Sequence, residues 1–242
     1  DQTWLVTPET DRYFSWRQAQ SRAESIACYL HGAGLSDGAS VAIAAPNGAA
    51  ASFAFLGVVY GGFRATPLNL VAGVKTLAFV LSHSKTELIL CADDSRSLVD
   101  EALAALVSAG ETPPRVISMD VDDGPRWSET DITPAQPDSL RVPTKDSIGL
   151  LMYTSGTTGV PKGVLLSHSN LIAAGTNVAV AHDLTDQDTG LCVLPIYHIN
   201  GLCVTVMGTL VSASGLVMPR RFSARHFWAQ MHQFSCSWFS AV

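Results

Sequence analysis

"YTSGTTGVPKGVLLSH", residues 153–168, sets a run of Ser, Thr and Gly between two apolar stretches and closes it with Pro161, Lys162 and Gly163. Small hydroxyl residues and glycines pack poorly inside a helix or strand, so the run reads as a loop whose amides and hydroxyls face something. Before it, "SIGLLMY" reads as a buried strand; after it, "GVLLS" reads as a second. The loop therefore links strand to strand. Its residue types suit an anion: glycines let backbone N–H groups converge, hydroxyls donate to non-bridging oxygens and the Lys162 ammonium neutralises charge. The Walker A pattern does not fit. Counted from Gly156, Lys162 stands at the Walker spacing, but Pro161 replaces the second glycine and Gly163 the magnesium-holding Ser/Thr.

Working outward, "SNLIAAGTNVAVAH" reads as a helix capped by Ser167 or Ser169. Nearer the amino end, Ser15 and Gln18 stand at capping-box spacing, and Trp16, Ala19, Ala23, Ile26, Ala27 and Leu30 form one apolar face. "SVAIAAP", "FRATPLN", "TELILCA" and "RVISM" then read as strands separated by the helical "GAAASFAFLGVVYGG", "VKTLAFVLSHS" and "SLVDEALAALVSAG". Strands alternating with helices of about ten or more residues require crossover connections, which predicts an α/β fold: layered sheets of largely parallel strands covered by helices. Residues 120–143, rich in Asp, Pro and Ser, read as a surface connection between a first α/β subdomain, 1–119, and a second, 144–242, that carries the loop.

Composition narrows the partners. With 47% hydrophobic residues among 242 the chain has ample material for a core. The net charge is -6, from 15 Lys+Arg against 21 Asp+Glu, and no basic run is present, so a nucleic-acid partner is not expected. Five cysteines without CxxC spacing fit reduced thiols and a cytoplasmic location, and neither they nor the scattered histidines form a metal-ligand pattern. No secretory signal is read at the start. Residues 38–63 and 189–219 are long and nearly uncharged, yet Pro, Gly, Asn and Ser interrupt both, so buried strand–turn–helix units are expected and no membrane span.

"YTSGTTGVPKGVLLSHSNL" is similar, nearly residue for residue, to the signature of the adenylate-forming superfamily, which includes acyl-CoA synthetases, adenylation domains of peptide synthetases and beetle luciferases. "LPIYHINGL", residues 194–202, resembles the segment these enzymes place beside the carboxylate pocket. "PNGAAASFAFLGVVYGGFRATPLN" and "FSCSWFSAV" are weaker likenesses in the family's order, so the resemblance extends over the whole chain and is nearest to an acyl-CoA synthetase. It implies a two-step ligase. A carboxylate attacks the α-phosphate of ATP, bound with Mg, to give an acyl-adenylate and pyrophosphate; a thiol, of coenzyme A or of a carrier protein, then displaces AMP. By position, Thr154, Ser155, Gly156, Thr157, Thr158, Gly159 and Lys162 would line the triphosphate, and His198, with Asn200 and Gly201, would form the wall between the acyl pocket and the ATP site.

Outside these blocks, Arg220 and Arg221 read as solvated or helix-entry residues, and Trp228, Phe234, Trp238 and Phe239 as core. Members of the superfamily are about twice as long, and the adenine, ribose and adenylating-lysine elements they carry later have no counterpart here. The resemblance thus implies an N-terminal portion, catalytically inactive by itself, with no catalytic residue of its own assigned. A module that keeps the fold without chemistry, or a peptide-synthetase domain, stands as the alternative.

Overall fold

In the computed structural model, which describes residues 2–154 and 161–242, the chain opens with a hairpin of β1 (Thr3–Thr7) and β2 (Arg12–Ser15) and runs into helix α1 (Trp16–Gly32). Ser15 caps α1 and Gln18 returns the bond, while Ala19, Ala23, Ile26, Ala27 and Leu30 are buried, as the spacing predicts. Alternation follows: β3 (Ser40–Ala44), α2 (Ala49–Tyr60), β4 (Arg64–Pro67), α3 (Val74–His83), β5 (Thr86–Ala92), α4 (Arg96–Ser108) and β6 (Arg115–Asp120). After the short β7 (Gly124–Pro125) come β8 (Ile148–Thr154), β9 (Lys162–Ser167), α5 (His168–Ala181) and β10 (Thr189–Leu191). A π-helical stretch, Asn200–Val206, continues into α6 (Met207–Ser212), followed by β11 (Gly215–Val217), α7 (Ala224–Gln233) and β12 (Trp238–Phe239).

The strands form two sheets. One has the order β7-β6-β5-β3-β4-β8-β9, parallel from β6 through β8 and flanked by antiparallel β7 and β9. The other has the order β12-β10-β11-β1-β2 and is parallel except for the β1–β2 hairpin.

Side chains alternate across a strand, and here that alternation builds the layers. Val41 and Ile43 of β3, with Leu88 and Leu90 of β5, join one apolar cluster that includes Ile26, Phe53, Phe55, Leu5 and Leu216. Ala42, Ala44, Ile89 and Cys91 face the other way, onto Leu77 and Leu81 of α3 and Val99, Ala102 and Leu106 of α4. Val6 and Val217 turn from the first cluster toward Phe227 and Met231 of α7 and Phe234 just after it. Five layers result: α3 and α4, the larger sheet, α1 and α2, the smaller sheet, and α7.

Part of the segment 120–143 is anchored on α1. Trp127 and Ile132 are buried, the Trp127 ring stacks on Tyr29 at 4.7 Å, and Ala135 N–H donates to Cys28 O. Two apolar residues in a polar segment suffice when a helix face waits for them. Each sheet draws strands from both sides of this segment. Among the described residues no helix is long and apolar enough to cross a membrane, and the uncharged stretches are short strands and helical turns, as expected.

Candidate functional site

Parallel strands end on a common edge, and loops at that edge are where open α/β sheets bind ligands. In the larger sheet β3, β4 and β8 all run parallel, which gathers Ala45–Gly48, Leu68–Gly73 and the stem of the Ser/Thr/Gly loop. In the smaller sheet the ends of β10, β11 and β12 gather residues 192–201, 218–222 and 240–242. The two edges face each other. A cavity of about 260 Å³ is lined by Pro67, Leu68 and Asn69, by Tyr153, Thr154 and Pro161, and by Tyr197 from the other sheet. A wider one of about 600 Å³ lies between Pro46, Asn47 and Leu70 on one side and Leu194, Pro195 and Arg221 on the other.

The loop stem has a defined geometry. Strands β8 and β9 pair antiparallel up to Thr154 opposite Lys162, so these two side chains share a face with Cβ atoms about 5 Å apart. Both residues are exposed, and Lys162 makes no ion pair among the described residues. A hydroxyl and an ammonium side by side, left to solvent, fit a polyanion. Of the predicted phosphate set, Ser155, Gly156, Thr157, Thr158 and Gly159 lie outside the described residues.

The second predicted group sits on the facing segment. His198 is exposed, donates its N–H to Pro195 O at 3.0 Å and accepts at its carbonyl from Leu202 N–H at 3.1 Å, and its ring lies 4.6 Å from that of Tyr197. Asn200 Oδ1 accepts from Ser240 Oγ at 2.6 Å. Gly201 is buried beneath, with no space for a side chain: a Cβ would come within 2.6 Å of Leu194 O and closer still to Pro195 O. Tyr197 thus lines the small cavity together with the loop stem, while His198 beside it faces outward.

Sequence reading missed several residues. Tyr153 donates to or accepts from His83 Nδ1 at 2.8 Å, which pins the first residue before the loop against α3. Burial holds the phenols of Tyr153 and Tyr197 above their ordinary value, so both stay neutral beside an anion. Asn47 binds the Leu194–Ile196 backbone across the gap. The available signal was position, since Tyr153 ends and Asn47 follows a predicted strand and Tyr197 stands beside His198 in the quoted segment, but partnership required the sheet order. Arg220 is structural, its N–H on Glu9 and its guanidinium 3.4 Å from Asp122. Among the expected core aromatics Trp238 is buried and Phe234 half-buried, whereas Trp228 and Phe239 are exposed. Among the described residues no group of three or more His, Cys, Asp or Glu could hold a metal.

Comparisons with known proteins bear on the family and the fold. A family model described as AMP-binding enzyme matches residues 1–242. A sulfoacetate–CoA ligase from Cupriavidus necator is 37% identical over 243 residues, covering 100% of this chain and 47% of that protein. An oxalate–CoA ligase from Arabidopsis thaliana is 31% identical, covering 87% of this chain and 41% of that protein. The chain spans about half the length of the curated relatives it matches. Among solved structures, the inhibitor-bound N-terminal domain of FACL13 from Mycobacterium tuberculosis superposes with a TM-score of 0.83 at 26% identity, over 99% of this chain and 58% of that one. ATP-bound MatB from Rhodopseudomonas palustris gives 0.82 at 24% identity, over 96% and 45%, a likeness of fold.

Proposed function

The chain belongs to the family of AMP-binding enzymes, and from that premise we propose that the protein carrying it activates a carboxylic acid with ATP and passes the acyl group to a thiol. A carboxylate oxygen attacks the α-phosphorus, the α–β phosphoanhydride breaks and pyrophosphate leaves. The thiol sulfur then attacks the acyl carbon, gives up its proton, and AMP departs. Magnesium enters with ATP as part of the substrate. The acid is small, the class to which sulfoacetate and oxalate belong, and coenzyme A is the acceptor, as the names of the relatives support. Five free thiols suit a reducing compartment, which makes the cytoplasm the proposed location.

One observation carries this reading: the loop stem, Thr154 and Pro161, shares a cavity with Tyr197, the neighbour of His198. An anion held at the loop stem and a carboxylate held by the Tyr197–His198 segment would border the same space, the arrangement that in-line attack on a phosphate requires. The chain's own residues supply positioning and charge: Thr154 and the loop hydroxyls and amides grip the polyphosphate, Lys162 offsets its charge, and His198 with Asn200 and Gly201 walls the acid.

Carboxylate-dependent ATP–pyrophosphate exchange by the full-length protein, run over a panel of small acids, tests the proposal. Exchange is expected with at least one acid, and Lys162→Ala is expected to raise the KM for ATP by about tenfold. Exchange that ignores every carboxylate, or an ATP dependence untouched by the substitution, overturns the assignment.

A further inference from the structure

Asn47 spends its whole side chain on the segment that carries His198. Strand β3 is central and fully buried, and Pro46 ends its ladder by removing a backbone donor. At Asn47, 7% exposed, the chain turns before α2. Its Nδ2 donates to Leu194 O at 2.9 Å, and its Oδ1 accepts the Ile196 N–H at 2.9 Å. A buried amide without partners is costly, whereas one with donor and acceptor both satisfied fixes what it binds. Here the bound object is backbone nearly 150 residues away, in the loop that follows β10 of the other sheet.

The opposite side of that backbone is also closed. Gly201 lies against the Leu194 and Pro195 carbonyls with no space for a Cβ, and His198 N–H returns to Pro195 O. Residues 194–196 are therefore gripped between a side-chain amide and a glycine, and His198 stands two residues beyond the second Asn47 contact. On its own side, Asn47 follows β3, whose neighbour β4 ends at Pro67 and leads into Leu68 and Asn69, which line the cavity with Thr154. A single side chain thus ties the edge that bears the phosphate loop to the segment that bears the acid wall.

We propose that Asn47 is a positioning residue that sets His198 and its wall relative to the loop stem at Thr154 and Lys162, and so governs how the acid, not the nucleotide, is held. This rests on the function proposed above. Asn47→Asp keeps the shape and the bond from Ile196 N–H but turns an oxygen toward Leu194 O. Asn47→Leu keeps the volume and loses both bonds.

Two measurements separate the contact from its consequence. In this chain, hydrogen exchange at the Ile196 amide is expected to quicken in Asn47→Leu while the Leu90 amide, deep in β5, stays protected, and the His198 ring resonances are expected to move as the ring shifts against Tyr197. In the full-length protein, Asn47→Leu is expected to raise the carboxylate KM about tenfold, with Asn47→Asp between it and the parent and the KM for ATP within about twofold. An unchanged Ile196 amide and His198 ring, or equal rises in both KM values, would sink the proposal. A protein without any carboxylate-dependent exchange defeats the function above, and the amide and ring measurements still judge the clamp.

Discussion

Gly201 and Lys162 show two ways in which a single position is dictated. At Gly201 the constraint is space, because the start of the π-helical stretch lies on the Leu194 and Pro195 carbonyls. Gly201→Ala must push two backbone segments apart, and we expect it to destabilise by about 1–3 kcal/mol, the usual cost of overpacking. Urea unfolding of the variant measures this, and an unaltered midpoint would contradict the packing described. At Lys162 the constraint is charge: the side chain is exposed and makes no ion pair among the described residues, so its removal should spare stability and change ATP binding only. Both residues were singled out in the sequence by a motif that fixes residue type at fixed spacing, although the space constraint at Gly201 came only with the fold. Asn47, Tyr197 and Ser240 were not, since what makes each matter is a partner brought in by long-range pairing, Leu194 and Ile196 for Asn47, the loop stem for Tyr197, Asn200 for Ser240.

Among the elements, α5 decides how the loop hairpin is held. Strand β9 is an edge strand with Val164 and Leu165 exposed, so little on its outer side fixes it. Its end runs directly into the α5 cap, where the Ser167 side chain accepts from Asn170 N–H and the Asn170 side chain accepts from Ser167 N–H. The sequence offered Ser167 or Ser169 for this role, and the cap geometry selects Ser167. We expect Ser167→Ala to cost about 1 kcal/mol and Ser169→Ala a few tenths, and thermal melts of the two variants compare them directly; equal losses would contradict the assignment. Helices such as α1 were readable because the 3.6-residue period repeats over many turns. The short β10, β11 and β12 offer two or three residues each, too few to show a period, and β1 owes its place to parallel pairing with β11, more than 200 positions away.

On the scale of the whole chain, that pairing has a thermodynamic consequence. One apolar cluster contains Trp4 and Leu216 of the smaller sheet, Val41, Ile43 and Leu90 of the larger one and Phe53 of the helix between them. Trp4 is fully buried, 5.5 Å from the Trp16 ring and 6.2 Å from that of Phe53. Neither sheet can therefore lose its inner face without exposing the same side chains. Unfolding should follow one cooperative transition, with all probes coincident. Trp4→Ala, about 3–5 kcal/mol by the cost of a large core cavity, should lower the midpoint seen by probes in either sheet equally. The buried thiols provide such probes, for Cys192 follows β10 in the smaller sheet and Cys91 lies in β5 of the larger, with burial raising their pKa values to about 12 and about 11. Both should resist alkylation in the native state and become reactive at the same urea concentration, in the parent and in the variant alike. If Cys192 reacted at a clearly lower concentration than Cys91, the smaller sheet would be opening by itself, and the shared cluster would not be the bond between the layers that its composition implies.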